Sequence, residues 1–385
     1  MNLFKQIPIA FDMLTHSWSR LFFSTLGVSF SSVIMFMQMG FFNGLNDSQS
    51  NLPPYIETDL IMFSKKKDHL KASGTFTLKR LNQVKSIDGV KSVNPTYMSA
   101  SYWWNPQDNS RSRVLMIGVS LDNPGFSFPE IKQYKKELRQ PNTILYDRLS
   151  RRELGEIEVG TVTQLVASKI KVAGLFELGS NFTYEGHVIL GLDNYYRIYG
   201  NPFNMSKVID EVDLGFIYLK PGVDPQQVKQ DMKASLPDDF DVLTREELHK
   251  RENDFVVTHT PSGIIFGIGL IVGFVIGVII CYQILFNEIN DHLPQFATLK
   301  AMGHSPGFLL GIVVSEALIL SCAGFFPGLL FSFFLYEIIE GFSQINMYLT
   351  FVRGTIIFTL TTFMCFISAV WAVRKVVEAD PADLY

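Results

Sequence analysis

The chain has 385 residues, of which 47% are hydrophobic and 18% charged, with a net charge of -4. The apolar residues are gathered in blocks, which excludes a single soluble enzyme domain, and the absence of any long basic or acidic run sets nucleic acid aside as a partner. Of the 33 Lys and Arg residues, only Lys5, Arg20, Lys300, Arg353, Arg374 and Lys375 fall outside the stretch from Lys65 to Arg251, so a polar insert interrupts a membrane scaffold.

Residues 1–20 place Ile7, Ile9, Ala10, Met13, Leu14 and Trp18 at helical spacing against Lys5, Asp12, His16 and Arg20, the pattern of an amphipathic helix on the inner membrane surface. A helix needs about 20 apolar residues to cross the hydrocarbon. Four stretches qualify: 21–45, 263–286, 308–339 and 350–373. The first lacks a small-residue cleavage site and reads as a retained helix, not a signal peptide.

Lys5, Arg20, Lys300, Arg374 and Lys375 flank the spans on one side, and the 340–349 turn has no positive charge. The bias of positive charge towards the cytoplasm therefore puts both termini inside and residues 46–260 outside.

Between the first two spans the pattern is α+β. Asp59 to Phe63, a helix near Thr77 to Lys85 and a strand near Val90 to Met98 form one strand-helix-strand unit. Asp213 to Leu219, a helix near Pro225 to Ser235 and a strand near Phe240 to Leu243 form another. Residues 125–205 then make an inserted β-rich lobe, with strands at Thr161 to Ala167, Ile170 to Phe176 and His187 to Leu190. Tyr102, Trp103 and Trp104 form an aromatic cluster between strands, for which contact with a partner, through Trp103 and Trp104, and a role in the core or at the lipid edge are equally open. Cys281, Cys322 and Cys365 all lie in apolar segments, so this domain has no disulfide.

In the second span Gly269, Gly273 and Gly277 recur at i+4 and give a smooth face for close helix packing, against an internal helix or a second copy. The third span is longer than the bilayer is thick and must either project outward or break, with Gly324-Phe-Phe-Pro327-Gly328 as the candidate for a break. Glu316 sits about two turns inside, where the alternatives are a transport pathway or relay and a hydrogen-bonded or protonated residue that fixes helix packing; the second is preferred because no other ionisable residue stands at comparable depth.

The loop 287–307 can form a short amphipathic helix with Phe296, Leu299 and Met302 on one side, ended by Gly303. Such a helix between two spans is placed to dock in a groove of a cytosolic protein. The chain has no G-x-x-x-x-G-K-[ST] sequence, no G-x-S-x-G elbow and no H-E-x-x-H helix, and its seven histidines are dispersed without i+4 pairs. These observations point to no catalytic residues, metal or cofactor in this chain.

The layout of one helix, a large external domain and three further helices resembles the FtsX-like and MacB-like permeases of ABC transporters, the mechanotransmission or type VII class. So do the loop ending in Ala301-Met302-Gly303 and the Arg374-Lys375 tail running to Asp380-Pro381-Ala382. Within that family the cyanobacterial DevC group is most similar, through Pro8-Ile9-Ala10, Met35-Phe36-Met37-Gln38, Asp291-His292-Leu293, Ala297 to Gly303 and Ala379 to Asp383.

The resemblance implies a multi-pass inner-membrane permease, four transmembrane helices with a large periplasmic α+β domain, working as a homodimer in membrane lipid. Its implied partners are a separate DevA-like ATPase that holds ATP and Mg, a DevB-like membrane fusion adaptor and, indirectly, a TolC-like outer membrane channel. The implied activity is export of a lipid or glycolipid-like substrate. Asn290, Asp291, His292, Gln295, Phe296, Leu299, Lys300, Met302 and Gly303 are then the ATPase-coupling residues. Where members of the family often carry an acidic coupling residue, this chain has Gln295. The alternative is an FtsX-like signalling protein that activates a periplasmic cell-wall hydrolase. Such members have a smaller external domain.

Overall fold

The computed structural model describes all residues except 1–6, 16–17, 50, 182, 201–204, 260, 344–346 and 379–385. Lys5, the side chains of Arg374 and Lys375, and the expected tail from residue 379 onward lie outside the described residues. Two compact units result, one of Met1–Gly44 with Pro261–Tyr385 and one of Leu45–Thr260.

The first unit opens with α1 (Ile7–Thr15) and α2 (Trp18–Gln49). The second unit then runs β1 (Leu60–Ser64), β2 (Phe76–Thr77), α3 (Leu78–Val84), β3 (Val90–Trp104), β4 (Arg111–Val119), α4 (Pro129–Gln133), α5 (Lys135–Leu138), β5 (Thr143–Asp147), β6 (Val162–Leu165), β7 (Ser168–Phe176), β8 (Gly186–Gly191), α6 (Leu192–Tyr199), α7 (Met205–Asp210), β9 (Glu211–Val212), β10 (Leu214–Leu219), α8 (Pro225–Ser235), β11 (Phe240–Thr244) and α9 (Arg245–His259). The chain returns to the first unit with α10 (Pro261–Asp291), α11 (Leu293–Ala301), α12 (Pro306–Ser343) and α13 (Phe351–Glu378).

Helices α2, α10, α12 and α13 are each long and apolar enough to cross a membrane. Their outward faces carry Phe30, Ile265, Ile279, Leu330 and Phe351, apolar surface that only lipid or another apolar partner can cover. Small residues set the packing between them. A side chain at Gly273 would meet Ile34, and one at Gly269 would meet Gln38, so the glycine face of α10 packs against α2 of the same chain. Gly277 faces Met364 on α13 as well as Ser31. On α12, Gly324 and Gly328 face Val28, Ser29 and Ser32 of α2.

Of the two alternatives for the third span, the break at Pro327 does not occur. Helix α12 continues for 38 residues straight through Pro327. Proline removes one backbone donor, and the close approach of α2 at Gly324 and Gly328 holds the helix on both sides of it. Helix α1 buries Ala10 and Leu14 in the same apolar cluster as α12 residues Leu309 and Ile312, while Phe11 and Asp12 are exposed.

In the second unit one nine-stranded sheet has the order β11-β1-β10-β3-β4-β8-β5-β7-β6. The two strand-helix-strand units, β1-α3-β3 and β10-α8-β11, interleave: β1 and β10 lie side by side, antiparallel, between β11 and β3. Local signals start both helices. Thr77 Oγ1 accepts from Arg80 N at the head of α3, and Asp224 accepts from Gln226 N at the head of α8, where Pro225 occupies the first turn.

The fifteen residues of β3 tie the whole sheet together. Val90 to Thr96 pair with β10, and Tyr97 to Trp104 pair with β4. The lobe expected at 125–205 is therefore no separate body: β4, which precedes residue 125, begins that half of the sheet. Strands β1, β5 and β8 are buried at every position, because apolar clusters cover both faces.

Candidate functional site

The segment between α10 and α12 carries both polar and apolar exposed residues. Its geometry begins with a charged cluster on the last turn of α10. Arg20 on α2 lies 3.0 Å from Asp291 and 3.8 Å from Glu288. Glu288 is buried and lies 3.3 Å from His292 Nε2, and the other ring nitrogen of His292 meets Gln295 Oε1 at 3.0 Å. His292 thus closes the turn between α10 and α11 instead of facing a partner. The sequence pattern had no way to pair Arg20 with Glu288, since they are far apart in the chain.

Helix α11 carries Pro294 in its first turn, and its end is fixed by Gly303 at φ 91°. Gly303 N bonds Lys300 O and His304 N bonds Leu299 O, a left-handed cap that a side chain would strain. Phe296 is 2% exposed and belongs to the bundle's core, so it anchors the helix and is not available for docking, as its place in the pattern had suggested. The surface that α11 presents outward consists of Pro294, Gln295, Thr298, Ala301 and Met302, with Met302 64% exposed. Asn290, Leu299 and Lys300 are half-buried beside it.

Glu316 on α12 is fully buried, and neither carboxyl oxygen has a hydrogen-bond partner among the described residues. A second ionisable group does lie within electrostatic reach, Glu288, contrary to the expectation that none stands near its depth.

In the second unit the aromatic cluster separates by strand alternation. Trp103 is 0% exposed, donates from Nε1 to Leu154 O at 2.9 Å and packs on Tyr146, so it is a core residue and no adaptor contact. Trp104 is half-buried and Tyr102 exposed, with the guanidinium of Arg111 over both rings at 5.2 and 5.7 Å. Among the described residues no group of three or more His, Cys, Asp or Glu side chains is arranged to hold a metal.

Four helices long and apolar enough to cross a membrane, a sheet domain after the first of them and a short helix between the second and third make up the layout of the chain. Residues 264–381 match the FtsX-like permease C-terminal family. Over 330 residues the chain is 23% identical to an uncharacterized ABC transporter permease of Methanocaldococcus jannaschii, covering 81% of this chain and 79% of that protein. Among solved structures it is similar to the periplasmic region of MacB from Actinobacillus actinomycetemcomitans, with 9% identity and TM-score 0.35 over 51% of this chain and 92% of that one. It is also similar to the extracellular domain of the noncanonic ABC-type transporter YknZ from Gram-positive bacteria, with 11% identity and TM-score 0.32 over 49% and 100%.

Proposed function

We propose that this chain is an FtsX/MacB-like permease, the transmembrane subunit of a tripartite ABC exporter of the DevC type, driven by a separate ATPase. The observation that carries the reading is α11. It is anchored inward by Phe296 and Ala297, capped at Gly303, and left with Gln295, Thr298 and Met302 facing out between two spans. A rigidly rooted amphipathic helix with an exposed apolar tip suits a groove on a cytosolic partner.

Closure of two ATPase subunits moves α11, and α10 and α2 carry that movement to the periplasmic domain. The coupling free energy needs only a bundle with two packings. The termini lie in the cytoplasm, the permease acts as a homodimer, and a membrane fusion adaptor links the periplasmic domain to a TolC-like channel. A lipid or glycolipid-like substrate need not cross between the helices, which fits the few ionisable groups within the spans.

The test is Leu299→Asp with Met302→Asp, leaving Phe296 in place. Affinity purification in mild detergent should then lose the ATPase while the variant stays folded and dimeric. Retention of the ATPase and of export by the double variant would sink the coupling assignment. Recovery of an ATPase with a cell-wall hydrolase and no adaptor would replace export by signalling.

A further inference from the structure

Strand alternation gives one corner of the sheet a core face and an outer face. Trp103, Leu165, Ile170 and Val172, from β3, β6 and β7, share one apolar cluster with Leu154. Tyr102, Val162, Gln164, Lys169 and Lys171 point the other way and are exposed, with Trp104 half-buried beside them.

Register sets these residues in a row. Arg111 pairs with Trp104, and Arg113 with Tyr102, across β4 and β3. Trp103 stands opposite Leu165 in an antiparallel bridge, which puts Trp104 against Gln164, and Gln164 in turn pairs with Lys169. The Thr163 hydroxyl donates to Trp104 O and Val166 N donates to Tyr102 O, so β3 and β6 are joined on both sides of that bridge. Arg111, Trp104, Gln164 and Lys169 thus run roughly 15 Å across four strands. Val162 and Lys171 pair next to the end of the row. Val166, a β-branched residue held at φ 58°, fixes the turn beside Tyr102, a strained conformation of the kind that clusters at binding sites.

The guanidinium of Arg111 lies over the rings of Tyr102 and Trp104, and that of Arg113 over Tyr184. No carboxylate among the described residues forms an ion pair with Arg111, Arg113, Lys169 or Lys171. Glu185 stands beside Arg113, since its N–H donates to Arg113 O, and it offsets that one cation. Glu153 and Glu156 belong to the segment that covers the opposite face. Their carbonyls accept from Asn105 and Gln107, and Leu154 and Ile157 of that segment pack in the core cluster. Asp108 lies in the turn beyond Trp104, where it accepts from Ser110 N, and Glu158 lies before β6 begins. Arg111, Lys169 and Lys171 remain as a positive excess around two aromatic rings.

We propose that this face of β4, β3, β6 and β7 docks a protein partner whose contact surface is acidic, with Tyr102, Trp104 and Arg111 at the centre and Lys169 and Lys171 at the rim. Trp, Tyr and Arg are the side chains that carry most of the energy at protein interfaces, and charges at the rim steer the approach. The proposal concerns the second unit alone and stands whether or not the exporter reading holds.

The experiment uses the full-length protein in detergent and a fluorescent ten-residue peptide with two leucines at its centre and four glutamates on each side. Its glutamine counterpart and an oligogalacturonate of eight units, equal in charge to the Glu peptide, complete the set. Binding is followed by polarisation and competition. The Glu peptide should saturate the protein below about 1 mM in about 50 mM salt, and the Gln peptide should bind at least about tenfold more weakly. Arg111→Glu with Lys169→Glu should weaken the Glu peptide about tenfold or more, and Trp104→Ala about tenfold. Lys85→Glu with Lys91→Glu should change it less than about twofold, because Lys91 lies roughly 40 Å along β3 from Trp104 and salt screens charge at that range. The first double variant alters exposed side chains only and keeps the test intact if Trp104→Ala fails to fold. Absence of Glu-peptide binding would overturn the proposal, as would an equal loss from the change at Lys85 and Lys91, the mark of diffuse charge. Oligogalacturonate binding that depends on Arg111 and Trp104, without binding of the peptide, would assign the face to an acidic glycan instead.

Discussion

The Ser29 hydroxyl on α2 donates to the Gly324 carbonyl on α12 at 2.8 Å, at a point where a methyl group on Gly324 would lie 2.5 Å from Val28 Cγ1. Two helix backbones meet there with no side chain between them, and a hydroxyl takes up part of the contact. Ser32 continues the seam, 3.2 Å from Thr361 on α13, and Tyr336 bonds Phe36 O further along.

This seam predicts opposite outcomes for two glycines on one helix. Gly324→Val must push α2 and α12 apart, and overpacking of that kind costs about 1–3 kcal/mol. Gly341 has open space around it, so Gly341→Ala should stabilise α12 by up to about 1 kcal/mol through helix propensity. Thermal unfolding in detergent should show the first variant melting below the parent and the second at or above it. Equal melting of both would mean that the seam does not hold the bundle.

Trp103 and Tyr102 are neighbours with opposite fates. Trp103→Ala should cost the second unit about 3–5 kcal/mol, since it removes a buried ring and leaves the Leu154 carbonyl without its donor. Tyr102→Ala removes a largely exposed ring and should cost well under that. Limited proteolysis, following the loss of the intact 45–260 unit, separates the two. A Trp103→Ala protein as resistant as the parent would return Trp103 to the surface.

Much of this architecture was legible in the sequence because the signals were periodic or local. Spans were set by apolar length, α3 and α8 by Thr77, Asp224 and Pro225, and the strands by their apolar runs. The sequence pattern could not show which residue of an aromatic triplet faces inward, and the alternation that buries Trp103 depends on β4 and β6 lying beside β3. Phe296 was misassigned for a similar reason: an apolar face on α11 can be an anchor or a docking surface, and only the neighbouring helices decide. Pro327 misled because its effect on a helix is local, whereas the glycine contacts that hold α12 come from α2. The continuity of the sheet was hidden because β3 serves two halves, which no repeat in the chain announces.

A pH dependence follows from Glu252 on α9. Its Oε1 accepts from Leu70 N at 2.7 Å, and burial raises its carboxyl from 4.5 to about 7. Between those values the folded protein holds the proton and the unfolded chain does not. Stability therefore falls as pH rises through that window, by about 3 kcal/mol at most. Lys71 acts in the opposite sense at higher pH: its folded value of about 8 lies below the 10.5 of the free side chain, so stability climbs again between them. Glu252→Gln keeps the acceptor for Leu70 and has no proton to lose. Hydrogen exchange of residues 66–72, corrected for the intrinsic rate, should show protection falling from pH 5 to 7 in the parent and staying level in the variant. A parallel fall in both would put the titration elsewhere.

Glu316 offers the sharpest distinction between a structural and a working residue. Both of its oxygens are buried without a hydrogen-bond partner among the described residues, and Glu288 is within electrostatic reach. A carboxyl in that position costs stability in either protonation state, for want of partners. Glu316→Met keeps the length of the side chain and removes the polar atoms, so the bundle should melt higher, by an amount equivalent to about 1–3 kcal/mol. If stability rises and the ATPase activity of the purified complex is unchanged, the carboxyl is neither a packing device nor a relay. Stability that rises while activity falls would mark a group retained at a cost because the transport cycle uses it. A variant that melts lower would show that the carboxyl has a partner in the assembled membrane protein, and the structural reading would then be the correct one.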